Sequence, residues 1–270
     1  MTHVISLVSS KGGCGKTTTA LNLGVAFAER GRRVVVVDLD PQGAVGLALD
    51  RPDGEWPGLA EHVIEGRPVA GLVVETRLPG FCLLPRGRLD PVDTCSYEAF
   101  LHSSGKVREV VRELSAGRDY VLLDTPSGVG AISRAALAAS DWALLPLQAE
   151  PLALRSIGQA LRVIEHVSRE ENRDLRLLGI LPTMVQVRDE ASFNVLRTAW
   201  ARLGGVLESV VPRAPVFLRA SEAGLPVSFL AGRVTPEARR FEQIVIELET
   251  LIAESAGGGE VDERPQRDLL

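Results

Sequence analysis

No run of apolar residues in this chain approaches the roughly 18 to 20 needed to cross a bilayer. Its first residues, Met-Thr-His-Val-Ile, place no basic flank ahead of an apolar signal core. A cytoplasmic protein is therefore expected, with no membrane partner. Cysteine is scarce as well: Cys14, Cys82 and Cys95 are odd in number, widely separated and form no C-x-x-C pair. That pattern speaks against a disulfide framework and against a zinc or iron–sulfur site, and leaves free thiols. Lysine is rarer than arginine by a wide margin, since of 30 basic residues only Lys11, Lys16 and Lys106 are lysines. Two of the three stand in one short glycine-rich stretch near the start.

What the chain does have is 270 residues with 45% hydrophobic content, enough for a substantial core. A single α/β domain over residues 1–254 is expected. The formal net charge of −5 argues against a surface coated in DNA-binding charge, but the charge is uneven. From Arg188 to Arg240 there are eight Arg against five acids, whereas Glu254 to Leu270 has five acids against two Arg. A local basic face is compatible with that distribution.

Apolar runs bounded by turn residues alternate with helical periodicity, the pattern of a mostly parallel sheet covered by helices on both faces. Strands are expected at Val4–Val8, Arg33–Asp38, Phe81–Leu84, Tyr120–Asp124, Trp142–Leu147, Leu177–Pro182 and Leu207–Val211. Helices are expected at Lys16–Arg30, closed by Gly31, and at Leu152–Arg169, Glu190–Leu203 and Thr235–Ala253. Tyr97–Leu114 also has helical spacing, with Ser103-Ser104-Gly105 as a break. Arg51–Pro79, rich in Pro and Gly around a short helical piece at Leu59–Ile64, reads as an excursion from the sheet. Residues 255–270, with three consecutive Gly and alternating charge, read as a disordered tail.

The stretch K-G-G-C-G-K-T-T, Lys11 to Thr18, follows the first apolar run and opens an amphipathic helix. It does not fit G-x-x-x-x-G-K-[ST] in full, because Ser10 stands where the first glycine belongs. The context still makes a phosphate cradle: Gly12, Gly13 and Gly15 let the backbone N–H groups of the loop, that of Cys14 included, turn toward anionic oxygens. The helix N-terminus adds its dipole. Lys16 then reaches the β and γ phosphates and the Thr17 hydroxyl binds Mg²⁺. Carboxylates come from two other segments. "VVVVDLDPQG" ends a strand in Asp38 and Asp40, and "RDYVLLDTPSG" ends one in Asp124. Acids at the carboxyl ends of parallel strands lie on the rim where open α/β sheets bind ligands. Asp124 reads as the Walker B acid, acting on the metal through water, and Asp38 as a more distant neighbour of the metal.

With these residues in place, the sequence resembles the ParA/MinD family of deviant Walker-A ATPases, and within it the ParA/Soj branch. "KGGCGKTTTALNLGVAFAERGRRVVVVDLDPQG", "DYVLLDTPSG", "WALLPLQAEPLALRSIGQAL", "LLGILPTMV", "VVPR" and "EAGLPV" keep the family's register over about Met1 to Ala253. The resemblance implies a P-loop NTPase fold, ATP and Mg²⁺ as ligands, and a homodimer that sandwiches ATP. Lys11 looks like the signature lysine that crosses to the partner's phosphates. Lys16, Thr17 and Thr18 look like phosphate and Mg²⁺ ligands, Asp40 like the acid that positions the attacking water, and Pro212 with Arg213 like a segment against adenine. Slow hydrolysis stimulated by a ParB-like or cargo-adaptor protein, and nonspecific DNA binding in the ATP state on the nucleoid, are further implications. Candidate DNA contacts are Arg188, Arg197, Arg202, Arg219, Arg233, Arg239 and Arg240.

The sequence also departs from that pattern. Ser127 stands where a second Pro is common, Ala214 where Asn commonly follows Pro-Arg, and Val216 where Soj-like proteins carry a DNA-contacting arginine, with Arg219 nearby as a substitute. Two other readings stay open on the same scaffold. A MinD-like membrane-surface ATPase needs a basic amphipathic C-terminal helix, whereas this C-terminus is acidic and glycine-rich. A metabolic ATP-dependent ligase is compatible with the loop alone.

Overall fold

The computed structural model describes residues 1–50, 56–103, 105–186, 188–230 and 235–256. Strands β1 (His3–Leu7), β2 (Val34–Asp38), β3 (Val74–Glu75), β4 (Phe81–Leu84), β5 (Tyr120–Asp124), β6 (Trp142–Gln148) and β7 (Arg176–Thr183) form one sheet in the order β3-β4-β2-β5-β1-β6-β7. Every neighbouring pair is parallel except β3 with β4. β2 and β5 are buried at every position, which is why they read as unbroken apolar runs rather than as alternating ones.

The helices are α1 (Lys16–Glu29), α2 (Ala44–Ala48), α3 (Leu59–Glu65), α4 (Thr94–His102), α5 (Lys106–Ser115), α6 (Ala131–Ala138), α7 (Pro151–Glu170), α8 (Glu190–Arg202), α9 (Pro215–Glu222) and α10 (Pro236–Ala256). α1 and α10 cover one face, where Leu23, Phe27, Phe241, Ile244 and Leu248 share a core with Ile5, Val34, Val36 and Leu122. The opposite face carries α3 to α6 over β2, β4 and β5, with Leu59, Tyr97, Val110 and Ile132 packed on Val35, Val37 and Val121. α7 and α8 continue that layer over β6 and β7 through Ile157, Ile164 and Ala199. β1 sits near the middle, so the loop that leaves its carboxyl end opens on the rim of the sheet.

The fold is an α/β P-loop NTPase, mostly parallel with helices on both faces, as the sequence indicates. The differences have local causes. The segment Leu207–Val211 is extended beside β7 but is not a strand. Leu207 N–H donates to the Ile180 carbonyl and Val211 N–H to the Pro182 carbonyl, while Glu208 and Ser209 N–H turn away to the Glu247 carboxylate at 2.7 and 3.0 Å. Pro182 has no N–H to return, and only isolated bridges form, Ile180 with Val206 and Val185 with Pro212. The helical spacing of Tyr97–Leu114 breaks as its Ser and Gly suggest, with Gly105 at φ +81° starting α5. Ser104 itself lies outside the described residues. β3, α2, α6 and α9 had no counterpart among the expected elements; each is short enough to carry little periodicity. Residues 255 and 256 belong to α10 rather than to a tail, since the Ser255 hydroxyl donates to the Leu251 carbonyl and the Ser255 carbonyl accepts from Arg176. The rest of the expected tail, 257–270, lies outside the described residues. Among the described residues no helix is long and apolar enough to cross a membrane.

α1 is buried along almost its whole length because it lies between the sheet and α10. Gly24 makes that approach close: a Cβ there would stand 2.6 Å from Phe81 Cε2 and 3.0 Å from Val36 Cγ2. A Gly24→Val protein should therefore lose about 1–3 kcal/mol to overpacking. Urea unfolding monitored by circular dichroism measures it, and an unchanged midpoint would contradict the close packing of α1 on β2 and β4.

Candidate functional site

The chain leaves β1 at Leu7 and turns into α1 through Val8–Gly15, with Gly13 at φ +74° and Gly15 at φ +85°, conformations that a side chain resists. Lys16 is buried, and its ammonium donates to Ser9 Oγ at 3.0 Å. The Ser9 hydroxyl in turn donates to the Lys11 carbonyl at 2.7 Å, and Thr183 Oγ1 donates to the Cys14 carbonyl at 2.9 Å. α1 has no side-chain cap and no acidic residue in its first turn. Its free N–H groups and positive dipole end therefore face the loop without a built-in counter-charge, which suits a phosphate. Thr18 is exposed at the head of the same helix, and Gly12 lies where a Cβ would be 3.2 Å from Ser127 Oγ. Lys11 is half-buried, and its ammonium makes no hydrogen bond or ion pair among the described residues.

The acids converge on this loop through strand register. Leu7 of β1 and Asp38 of β2 both pair with Asp124 of β5. Thr17 Oγ1 donates to Asp124 Oδ2 at 2.6 Å, whereas Asp124 Oδ1 is buried and has no hydrogen-bond partner among the described residues. Both oxygens of Asp38 accept backbone N–H groups, from Asp40 at 3.0 Å and from Val45 at 2.9 Å. Asp40, two residues beyond the end of β2, is half-buried, and its Oδ1 accepts Gln42 N–H at 2.9 Å. The donors fit Mg²⁺: one hydroxyl and one spare carboxylate oxygen lie beside an anion cradle. No group of three or more His, Cys, Asp or Glu side chains suited to a metal exists among the described residues. Mg²⁺ held chiefly by phosphate and water needs no such cage.

Pro212 and Arg213 reach the loop by way of β7. Thr183 holds the Cys14 carbonyl, Val185 N–H donates to the Val211 carbonyl, and Arg213 N–H donates to the Val185 carbonyl at 2.9 Å. Between them Met184 adopts φ +53° and lies against Gly15, whose Cβ position is 3.9 Å from Met184 Cε. The arginine candidates divide between two layers. Arg188, Arg197 and Arg202 are exposed on and before α8, while Arg219, Arg239 and Arg240 are exposed on α9 and α10. Arg233 lies outside the described residues. Val216 is buried with Ala220 and Val227, so Arg219 is the exposed basic group on that helix. Sequence reasoning did not single out Ser9, Thr125 and Thr183, whose hydroxyls hold Lys16, the Leu7 carbonyl and the Cys14 carbonyl. Their position at or just beyond the last residue of β1, β5 and β7 was the available signal.

Two carboxylates side by side in a closed part of the sheet resist ionisation. Burial, with Thr17 and Lys16 opposing it, pushes the Asp124 carboxyl up to about 7. Burial and the neighbouring Asp124 charge push Asp38 well above the usual carboxylate range, against the hydrogen bonds from Val45 and Asp40. An acid whose pKa is raised by folding binds its proton more tightly in the folded state, so its contribution to stability is full below about pH 4 and is lost as pH rises through about 7. In the nucleotide-free protein, Asp124→Asn should remove on the order of 1–3 kcal/mol of that decline between about pH 4.5 and 7.5. Urea titrations of both proteins across this range test it, and parallel pH profiles would count against it.

With this geometry in view, the comparisons with known proteins agree. The AAA domain family model AAA_31 matches residues 2–177. The chromosome partitioning protein ParA of Caulobacter vibrioides is 34% identical over 234 residues, which cover 83% of this chain and 86% of that protein. The chromosome-partitioning ATPase Soj of Thermus thermophilus is 34% identical over 254 residues, covering 93% of this chain and 97% of that protein. Among solved structures, cobyrinic acid a,c-diamide synthase from Mycobacterium smegmatis with bound ADP and magnesium is similar at a TM-score of 0.76 and 31% identity, over 96% of this chain and 97% of that one. A glycine loop, a buried carboxylate at the end of the neighbouring strand and similarity to ParA and Soj over most of the chain together place this chain in the ParA/MinD family of P-loop ATPases.

Proposed function

We propose that this protein is a ParA-type switch: it dimerises around ATP, binds nonspecific DNA in that state, and is reset by a partner that stimulates slow hydrolysis. The observation that carries the reading is the contrast between the two loop lysines. Lys16 is buried and engaged within its own loop, whereas the Lys11 ammonium has no partner among the described residues. Lys16, the loop from Gly12 to Gly15 and Thr18 bind the phosphates, and Pro212 with Arg213 borders the base. Thr17 would hold Mg²⁺ directly and Asp124 would hold it through water, with Asp38 beside Asp124 in the strand register. Mg²⁺ held there would neutralise charge on the β and γ phosphates.

Phosphoryl transfer to water needs alignment and charge stabilisation more than covalent help. Asp40 orients the attacking water, and Lys11 of the second subunit supplies a cation that arrives only when two loaded subunits meet. ATP is then a dimerisation ligand whose γ phosphate both halves hold, and the equilibrium moves by that difference in affinity. The cargo is DNA or a protein assembly, the stimulating partner is ParB-like or a cargo adaptor, and the ATP-bound protein resides on the nucleoid. The chain through the end of α10 acts as one domain.

Three substitutions separate these roles. Lys16→Ala should lose nucleotide binding, Lys11→Ala should bind ATP yet neither dimerise nor hydrolyse it, and Asp40→Ala should bind ATP and stay dimeric without turnover. Light scattering with ATP and a phosphate-release assay read all three; normal dimerisation of Lys11→Ala would remove the cross-interface role. The ATP-bound protein should also retain DNA in a salt-dependent way, the logarithm of affinity falling linearly with the logarithm of salt. Fluorescence anisotropy with labelled duplexes of unrelated sequence tests it, and binding that needs no ATP or ignores salt would contradict it. The similarity to a diamide synthase gives a ligase reading its one support. Glutamine- and carboxylate-dependent ATP turnover would favour that reading instead.

A further inference from the structure

Arg86 is 5% exposed, and no other arginine is buried among the described residues. It stands just past β4, in Pro85-Arg86-Gly87. Its backbone is locked to α3: the Pro85 carbonyl accepts Leu59 N–H at 2.9 Å and the Arg86 carbonyl accepts Ala60 N–H at 2.6 Å. Gly58 packs so tightly here that a Cβ would overlap the Pro85 carbonyl. The guanidinium points the other way. Nη1 donates to the Pro41 carbonyl at 2.8 Å, and Nε donates to the Gly87 carbonyl at 3.1 Å. It also lies against Gly43, whose Cβ position is 3.1 Å from Nε and Nη2 and whose φ of +67° already excludes most side chains.

Pro41 to Gly43 is the turn that holds Asp40. Gln42 N–H donates to Asp40 Oδ1, and Gly43 N–H donates to the Asp40 carbonyl, both at 2.9 Å. Burial, with the nearby Asp38 and Asp40 charges, pushes the Tyr97 hydroxyl well above its ordinary range, and the Arg86 guanidinium opposes that shift. We propose that Arg86 is a positioning residue for hydrolysis: from its anchorage on α3 it fixes the Pro41–Gly43 turn and thereby the place of the Asp40 carboxylate. The inference rests on the reading of Asp40 as the acid that orients the attacking water. It gives the segment from α3 to β4 a task, as the support behind that acid. Nucleotide binding uses loop groups that Arg86 does not touch, so binding and hydrolysis should come apart.

The test compares wild type, Arg86→Met, Arg86→Lys, Asp40→Ala and the Arg86→Met, Asp40→Ala double variant in the full chain. Binding is read with an N-methylanthraniloyl ATP, hydrolysis by single turnover of radiolabelled ATP with protein in excess, and folding by thermal melting. Arg86→Met should bind the analogue within about threefold of wild type while hydrolysis slows by ~10–100-fold, the penalty of a misplaced catalytic group. Arg86→Lys, which keeps one donor for the Pro41 carbonyl, should recover part of the rate. The double variant should be no slower than Asp40→Ala, because residues acting through one another are not additive. Wild-type hydrolysis by Arg86→Met beside an inactive Asp40→Ala overturns this inference alone, as does loss of affinity in step with rate. Wild-type hydrolysis by Asp40→Ala overturns the Asp40 assignment and this inference with it. Should Arg86→Met fail to fold, Arg86→Lys decides: slowed hydrolysis with retained binding supports the inference, and an unchanged rate overturns it.

Discussion

Two carboxylates buried on adjacent strands are the constraint around which the site is organised. Asp38 and Asp124 are partners in the register of β2 and β5, fully inside the sheet, and neither position is one where a charge is at ease. Each is made tolerable by a different means. Asp38 collects backbone N–H groups and so starts α2 and shapes the turn after β2. Asp124 takes the Thr17 hydroxyl and keeps one oxygen in reserve. The first solution is structural and the second is chemical, and their adjacency links the Asp40 turn to the phosphate loop.

The loop side of the site is held from below by hydroxyls at strand ends. Ser9, Thr125 and Thr183 occupy carbonyls or the Lys16 ammonium without adding charge, so they do not offset the positive N-terminal end of α1. A carboxylate in the first turn of α1 would have competed with any bound anion; none is there.

Much of this was legible because the residues that make it are local in sequence. Lys11 to Thr18, Asp38, Asp40 and Asp124 each end or follow a strand whose burial on both faces produces an apolar run that needs no partner to be recognised. The helix ended by Gly31 was equally plain, with Gly31 at φ +79°. What was not legible depends on distant contacts. Leu207–Val211 has the composition of a strand, but Glu247, far along the chain on α10, takes the N–H groups that a ladder would need. Arg86 reads as an ordinary residue in a Pro-Gly turn, because nothing in its neighbours announces that Pro41 and Gly43 will lie beside it. The arginines on α8, α9 and α10 showed the opposite limit: their density along the chain was clear, whereas their division between two layers was not.

The treatment of the segment beside β7 has a consequence for solubility. An edge strand offers a row of unpaired N–H and C=O groups to any other extended chain, and that is a route to aggregation. Here the row is interrupted three times: Ile180 and Pro182 already pair with residues 205–211, Pro182 has no N–H to offer, and the extended segment itself has two of its donors claimed by Glu247. On the far side β3 closes the sheet with only two antiparallel residues. Among the described residues both margins are thus too short or too broken to template another strand, so the sheet offers a second copy of the chain no edge to pair with.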